Sequence, residues 1–312
     1  MQPTLADPTR ASLKELLQLQ AQAADLHISP NQRSTSPMAG TYRSAFRGRG
    51  MEYDETRLYL PGDDIRAMDW RVTARTDKPH TKVFREERER PVMLAIDTST
   101  SMQFGTRVAF KSAIAAQAAA LLGWGAALAG DRVGFLLFAE EQHTEWKPQK
   151  GKNGLLVGLK ALTQLTPQTS QPFSQNAGAD LAKVLHRLHR TAKHGHLIYI
   201  ISDFLQWNSD VQSQVQKIAL GNELALIQVL DALEMQLPSS GKYWISNRAG
   251  NLQLDASDPK TQASHQQLFP RIAQTLTEFS RKHGVHYCRL MTSDPVAKTL
   301  RTGLFTKRRV HK

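Results

Sequence analysis

The chain is short of several things, and each shortage narrows its chemistry. It has one cysteine, Cys288, among 312 residues, so no internal disulfide framework exists and a reducing compartment, the cytoplasm, is expected. The first residues, Met1-Gln2-Pro3-Thr4-Leu5-Ala6-Asp7, lack the basic start and apolar stretch of a signal peptide, so no export is expected. No long run of large apolar side chains occurs. The 19 residues from Ser112 to Gly130 are uncharged but consist mainly of Ala and Gly, which supply too little transfer free energy for a membrane span. They read as a buried helix whose small residues admit close neighbours. A GxxxxGK[ST] phosphate loop, a GxGxxG turn and a GxSxG elbow are all missing, which argues against nucleotide hydrolysis and serine-hydrolase chemistry.

What the chain has in excess is positive charge, and its position matters. Lys and Arg number 40 against 28 Asp and Glu, a net charge of +12. Residues 281–312 hold 9 basic and 1 acidic side chain and so account for +8 of it. A basic C-terminal tail over 292–312 is therefore expected, available to an acidic partner or, as a lesser alternative, to non-specific nucleic-acid binding. No aromatic series accompanies it, so base-reading is not expected.

Asp7 and Pro8 suggest a helix start, and Leu13, Leu16, Leu17, Ala24 and Leu26 follow at roughly helical spacing. Ser29 to Thr41 is Ser/Thr/Pro-rich and completes an N-terminal helix-plus-linker region, 1–41. Residues 42–90 interleave 12 basic and 10 acidic side chains and read as a charged module. Arg57, Arg66, Arg71, Arg75 and Arg85 are expected to pair with Asp63, Asp64, Asp69, Glu86 and Glu87, with Trp70 as an anchor to the neighbouring core. From residue 91 to 291 short apolar runs alternate with helical patterns: Val92 to Ile96, Val133 to Phe138, Leu197 to Ile201, Leu224 to Leu230 and Val285 to Leu290. Strands without polar alternation, separated by helices, predict an α/β domain with a doubly wound, mostly parallel sheet.

Ligands of such sheets bind beyond the carboxyl ends of the strands, and two acidic residues stand there: Asp97 after the first apolar run and Asp203 after Leu197 to Ile201. In Asp97-Thr98-Ser99-Thr100-Ser101, alternate residues of an extended segment face one side, presenting a carboxylate and two hydroxyls. Asp97, Ser99, Ser101 and Asp203 are hard oxygen donors suited to Mg²⁺ or another divalent cation. An enzymatic alternative is a metal-assisted hydrolase using Asp97 and Asp203 with Asp63 or Asp64 as base. The histidines at 186, 189, 194 and 196 are interleaved with Arg187, Arg190 and Lys193, which disfavours zinc.

Asp97-x-Ser99-x-Ser101 together with Ile201-Ser202-Asp203 resembles a von Willebrand factor A-type domain. That resemblance implies a metal-ion-dependent adhesion site, where a bound cation receives an acidic side chain of a partner. It also implies a threonine in a loop before the fourth strand; Gly178-Ala179-Asp180-Leu181 places Ala179 there. Farther upstream, Phe46-Arg47-Gly48-Arg49-Gly50-Met51-Glu52-Tyr53, Arg57 to Arg66, Asp69-Trp70-Arg71 and Val83-Phe84-Arg85-Glu86-Glu87 resemble the signature of the bacterial domain-of-unknown-function family fifty-eight. Ser202-Asp203-Phe204 and Thr292-Ser293-Asp294-Pro295 extend the likeness to about residue 300. This second resemblance implies a MoxR-type AAA+ ATPase as partner, here in a form without a transmembrane segment; with the oxygen-only donor set and the missing nucleophile and phosphate motifs, the expectation is a non-enzymatic adaptor to that ATPase or to an acidic-residue-bearing protein client.

Overall fold

The computed structural model describes residues 6–26, 51–86, 89–140, 142–164, 180–192, 194–247 and 250–304. They form two compact units, one from residues 1–31 and 90–312, the other from residues 32–89. The N-terminal segment thus belongs to the larger unit although the smaller one interrupts it in sequence.

The chain begins with α1 (Leu13–Gln18) and α2 (Gln20–Ala23). Ser12 caps α1 through a reciprocal box with Glu15, which satisfies two otherwise orphaned N–H groups. Of the residues expected on the apolar face, Leu16 and Leu26 are buried and Leu13 and Leu17 partly so, whereas Ala24 is exposed and Leu19 and Ala23 are buried in addition.

The smaller unit pairs β1 (Met51–Leu58) antiparallel with β2 (His80–Glu86), with α3 (Trp70–Thr76) between them. Arg57 grips Asp63 through both guanidinium nitrogens at 2.7 and 2.8 Å, one of the expected pairs. The other described carboxylates act differently. Asp64 caps the single 3₁₀ turn Ile65–Ala67 through the Arg66 N–H, and Asp69 caps α3 through the Val72 N–H while facing Lys82 at 3.9 Å. Turn and cap positions claimed these side chains before arginines did. Trp70, the first residue of α3, lies on the outside of the smaller unit, while Val72 and Thr73 are half-buried within it. The side chains of Arg85, Glu86 and Glu87 lie outside the described residues.

The larger unit continues with β3 (Pro91–Asp97), α4 (Lys111–Leu128), β4 (Arg132–Phe138), β5 (His143–Lys150), α5 (Lys152–Gln164), α6 (Leu181–Thr191), β6 (Leu197–Ser202), α7 (Ser209–Ala219), β7 (Glu223–Leu230) and α8 (Ala232–Met235). It ends with the hairpin β8 (Lys242–Asn247) and β9 (Gly250–Asp255), then α9 (Pro259–His283), β10 (His286–Met291) and α10 (Val296–Leu304). Six strands form one sheet in the order β10-β7-β6-β3-β4-β5, all parallel except the antiparallel edge strand β5. This is the doubly wound α/β fold expected.

Alternation along the strands feeds two cores. Val92, Leu94 and Ile96 of β3 and Tyr199 and Ile201 of β6 face α4, α5 and α10; Met93, Ala95, Ile198 and Ile200 face α6, α7 and α9. The uncharged stretch from Ser112 is the interior of α4, buried on nearly every side. Its small residues are required: a Cβ at Gly123 would lie 2.5 Å from Leu155 Cδ1 and 3.3 Å from Leu94 Cδ1. The N-terminal helices cover another side of α4, where Trp124 Nε1 donates to the Leu16 carbonyl at 3.0 Å. Among the described residues no helix is long and apolar enough to cross a membrane. Of the segment expected as a basic tail, residues 296–304 form α10, whose Val296, Leu300 and Leu304 are buried at four-residue spacing; residues 305–312 lie outside the described residues.

Candidate functional site

The strand order reverses at the parallel neighbours β3 and β6: β4 lies on one side of β3, and β6 and β7 lie on the other. A crevice forms at such a switch point because successive crossover helices leave toward opposite faces. In register, Ile96 pairs with Ile201, so Asp97 and the Ser202-Asp203 dipeptide emerge side by side at the carboxyl ends. The structure brings together both predicted acidic residues and both predicted serines.

Asp97 is 5% exposed. Its Oδ1 accepts the Ser99 N–H at 2.9 Å and its Oδ2 accepts the Ser202 hydroxyl at 2.6 Å. The first of these bonds curls the chain, so Ser99 leads into a 3₁₀ turn, Thr100–Met102, rather than an extended strand. Ser99 and Ser101 still converge, with hydroxyls 3.1 Å apart, but by this turn rather than by alternation. Thr100 N–H is held by Glu140 at 2.6 Å and the Thr98 hydroxyl by the Phe138 carbonyl at 2.9 Å, which fix the loop against β4. Burial, and next the charge of Asp203, push the Asp97 carboxyl up to about 7, against the opposing hydrogen bonds from Ser202 and Ser99.

The turn after β6 is equally constrained. Phe204 is fully buried with φ of 57°, a left-handed conformation that costs a non-glycine residue about 1 kcal/mol. Its N–H reaches the Ser202 hydroxyl at 3.0 Å, and Leu205 N–H reaches Asp203 Oδ1 at 3.1 Å. This turn aims Asp203 Oδ2 at Lys111 Nζ, 2.9 Å away.

Sequence reasoning missed Lys111. It is the first residue of α4 and completely buried, and it also binds Glu234 Oε1 at 2.6 Å. Burial pulls its ammonium down, but Asp203 and Glu234 together outweigh that and hold it above the usual lysine value. Burial likewise raises the Glu234 carboxyl despite Lys111. The other Glu234 oxygen accepts the Asp231 N–H at 2.9 Å, and Asp231 gathers Thr106, Leu233 and Thr292. One polar network therefore spans the carboxyl ends of β3, β6, β7 and β10. A signal for Lys111 was present: it immediately precedes the long uncharged stretch, so a charge there was bound to enter the core with the helix.

The remaining candidates are placed as follows. Gly178 and Ala179 lie outside the described residues, while Asp180 caps α6 through the Lys183 N–H at 3.1 Å. Asp63 and Asp64 are committed to a guanidinium pair and a turn within the smaller unit. His186 and His189 are exposed on α6, and no three His, Cys, Asp or Glu side chains converge as metal ligands among the described residues. Cys288 is buried, and burial pushes its thiol up to about 11.

The family described as "Protein of unknown function DUF58" matches residues 55–271. The chain is 32% identical over 226 residues, 72% of its length, to the uncharacterized protein Rv1480 of Mycobacterium tuberculosis, of which 68% is covered; the uncharacterized protein Mb1516 of Mycobacterium bovis matches to the same extent. Among solved structures it is similar to BatB from Bacteroides thetaiotaomicron (15% identity, 68% of this chain and 95% of that one, TM-score 0.43). It is also similar to a von Willebrand factor type A protein from Catenulispora acidiphila (14% identity, 72% and 43%, TM-score 0.36).

Proposed function

The chain belongs to the family of proteins of unknown function DUF58, and from that premise we propose that it is a non-enzymatic, cytoplasmic protein-binding module with a divalent-cation-dependent site. Asp97, Ser99 and Ser101 would hold Mg²⁺ or a similar ion, with Asp203 as the second carboxylate of the site. Such an ion accepts few protein oxygens and leaves positions for an acidic side chain of a client protein. A MoxR-type AAA+ ATPase, implied by the family resemblance, is the second partner.

One observation carries the reading. Asp203 and Glu234, both buried, share the Lys111 ammonium, and beside them the buried Asp97 carboxylate has only hydrogen-bond donors among its described partners. Uncompensated charge in a buried site is expensive, so the excess negative charge calls for a proton or a cation. The donor set is oxygen alone, which fits a hard ion. With one carboxylate and two hydroxyls on the Asp97 side, the site is weak by itself and gains from a carboxylate supplied in trans.

Calorimetric titration with Mg²⁺ and Mn²⁺, and capture of the cognate ATPase and its client with and without chelator, test this. Cation binding and chelator-sensitive capture should both be lost in Asp97→Ala. Capture indifferent to chelator and to Asp97→Ala would end the metal-bridge mechanism.

A further inference from the structure

Lys111 sits where a buried cation is poorly placed by its own helix. It opens α4, whose free N–H groups carry partial positive charge, so the dipole disfavours an ammonium there. It is nonetheless wholly enclosed, with Nζ 5.9 Å from the Phe269 ring centroid and no exposed surface through which to swing outward. Two carboxylates hold it, and their remaining oxygens are already engaged: Asp203 Oδ1 by Leu205 N–H, Glu234 Oε2 by Asp231 N–H. Asp97 differs: among the described residues it is hydrogen-bonded by the Ser99 N–H and the Ser202 hydroxyl and by no ammonium. The two acidic residues at the switch point are thus not equivalent.

Resting on the cation-dependent reading above, we propose that Lys111 is a resident counter-ion and positioning residue of the site. Its ammonium keeps Asp203 out of the direct ligand set of an incoming divalent ion, confines that ion to Asp97, Ser99 and Ser101, and holds its affinity low. The low affinity is useful: an ion bound weakly by the protein alone is bound firmly only when a partner's carboxylate joins it, so partner capture and cation capture become one event. Asp203 acts on the ion through Lys111 rather than by touching it.

Replacing the ammonium with a neutral chain of similar length reverses this. In Lys111→Met, Asp203 is released, the local charge falls by one, and Mn²⁺ should bind about tenfold more tightly or better, as removal of a unit positive charge a few ångströms from a divalent ion requires even in a water-like dielectric. The test is Mn²⁺ titration by electron paramagnetic resonance on the full chain, with thermal melts in chelator and in Mn²⁺. Lys111→Met should melt earlier than wild type in chelator and regain stability with Mn²⁺. Affinity no tighter than wild type, or melts unaffected by Mn²⁺, would overturn the proposal.

The double variant Lys111→Met with Asp203→Asn removes one charge of each sign and guards against a single variant that does not fold. It should fold in chelator and bind Mn²⁺ within about threefold of wild type, because the net local charge is restored. Binding about tenfold weaker than wild type would show that Asp203 is a direct ligand in the native protein and would defeat the proposal. The two readings fail separately. Wild type that binds no Mn²⁺ while Lys111→Met does would sink the proposed native cation dependence and support the counter-ion role; wild type that binds, with Lys111→Met unchanged, would do the reverse.

Discussion

Asp97→Asn should exchange a pH-dependent cost for a small constant one. The Asp97 carboxyl is pushed from the ordinary 3.8 to about 7 by burial and by Asp203. Below pH 4 both the folded and the unfolded chain carry the proton. Between pH 4 and 7 the unfolded chain gives it up and the folded chain keeps it, so wild-type stability falls as pH rises, by about 1.4 kcal/mol per pH unit and about 4 kcal/mol in all. Above about pH 7 the loss is complete. Asparagine has no such proton. It keeps one acceptor for the Ser99 N–H but offers an amide to the Ser202 hydroxyl, a mismatch of about 1 kcal/mol. In chelator, therefore, urea unfolding followed by fluorescence should find the variant about 1 kcal/mol less stable than wild type at about pH 3, level with it near pH 4.5 and about 3 kcal/mol more stable at pH 8. The sign change is the diagnostic feature. A difference that is flat with pH, or that favours wild type increasingly as pH rises, would refute the claim that Asp97 is held uncompensated.

Two further substitutions probe the scaffold. Gly158→Ala would drive a Cβ to 2.1 Å from Phe135, a fully buried ring with nowhere to retreat; despite the better helix propensity of alanine, a loss of about 2 kcal/mol is expected in chemical denaturation. Trp124→Phe removes the donor to the Leu16 carbonyl and should cost about 1 kcal/mol, with faster hydrogen exchange in α1 than elsewhere in the larger unit.

The α/β architecture was legible because every central strand is a continuous apolar run and the helices between them, apart from the wholly buried α4, each carry a helical period. Asp97 and Asp203 were legible for the same reason: each ends such a run. The network joining Lys111 to Asp203 and Glu234, and Asp231 to Thr106, was not, because those partners lie 92 to 125 residues apart; the sequence offered only the position of Lys111 before the uncharged stretch and the local Asp231–Glu234 capping spacing. The Ser99–Ser101 pair was anticipated through the wrong geometry, since an aspartate that accepts the N–H two residues on bends the chain. Residues 292–304 hold only Lys298 and Arg301 against Asp294, but the charge excess summed over residues 281–312 obscured the Val296, Leu300, Leu304 stripe that packs α10.

The interruption of the larger unit by residues 32–89 sets a timetable for synthesis. Leu16 docks on Trp124, 108 residues later, so at about 5 to 20 residues per second the N-terminal helices wait roughly 5 to 20 s for the surface that buries them. During that interval Leu16, Leu19 and Leu26 have no native shelter, while the intervening unit can already pair its own two strands. The last step of assembling the larger unit's core on that side is then the return of a segment made 108 residues earlier, which makes α1 and α2 a natural target for a holding chaperone on the nascent chain.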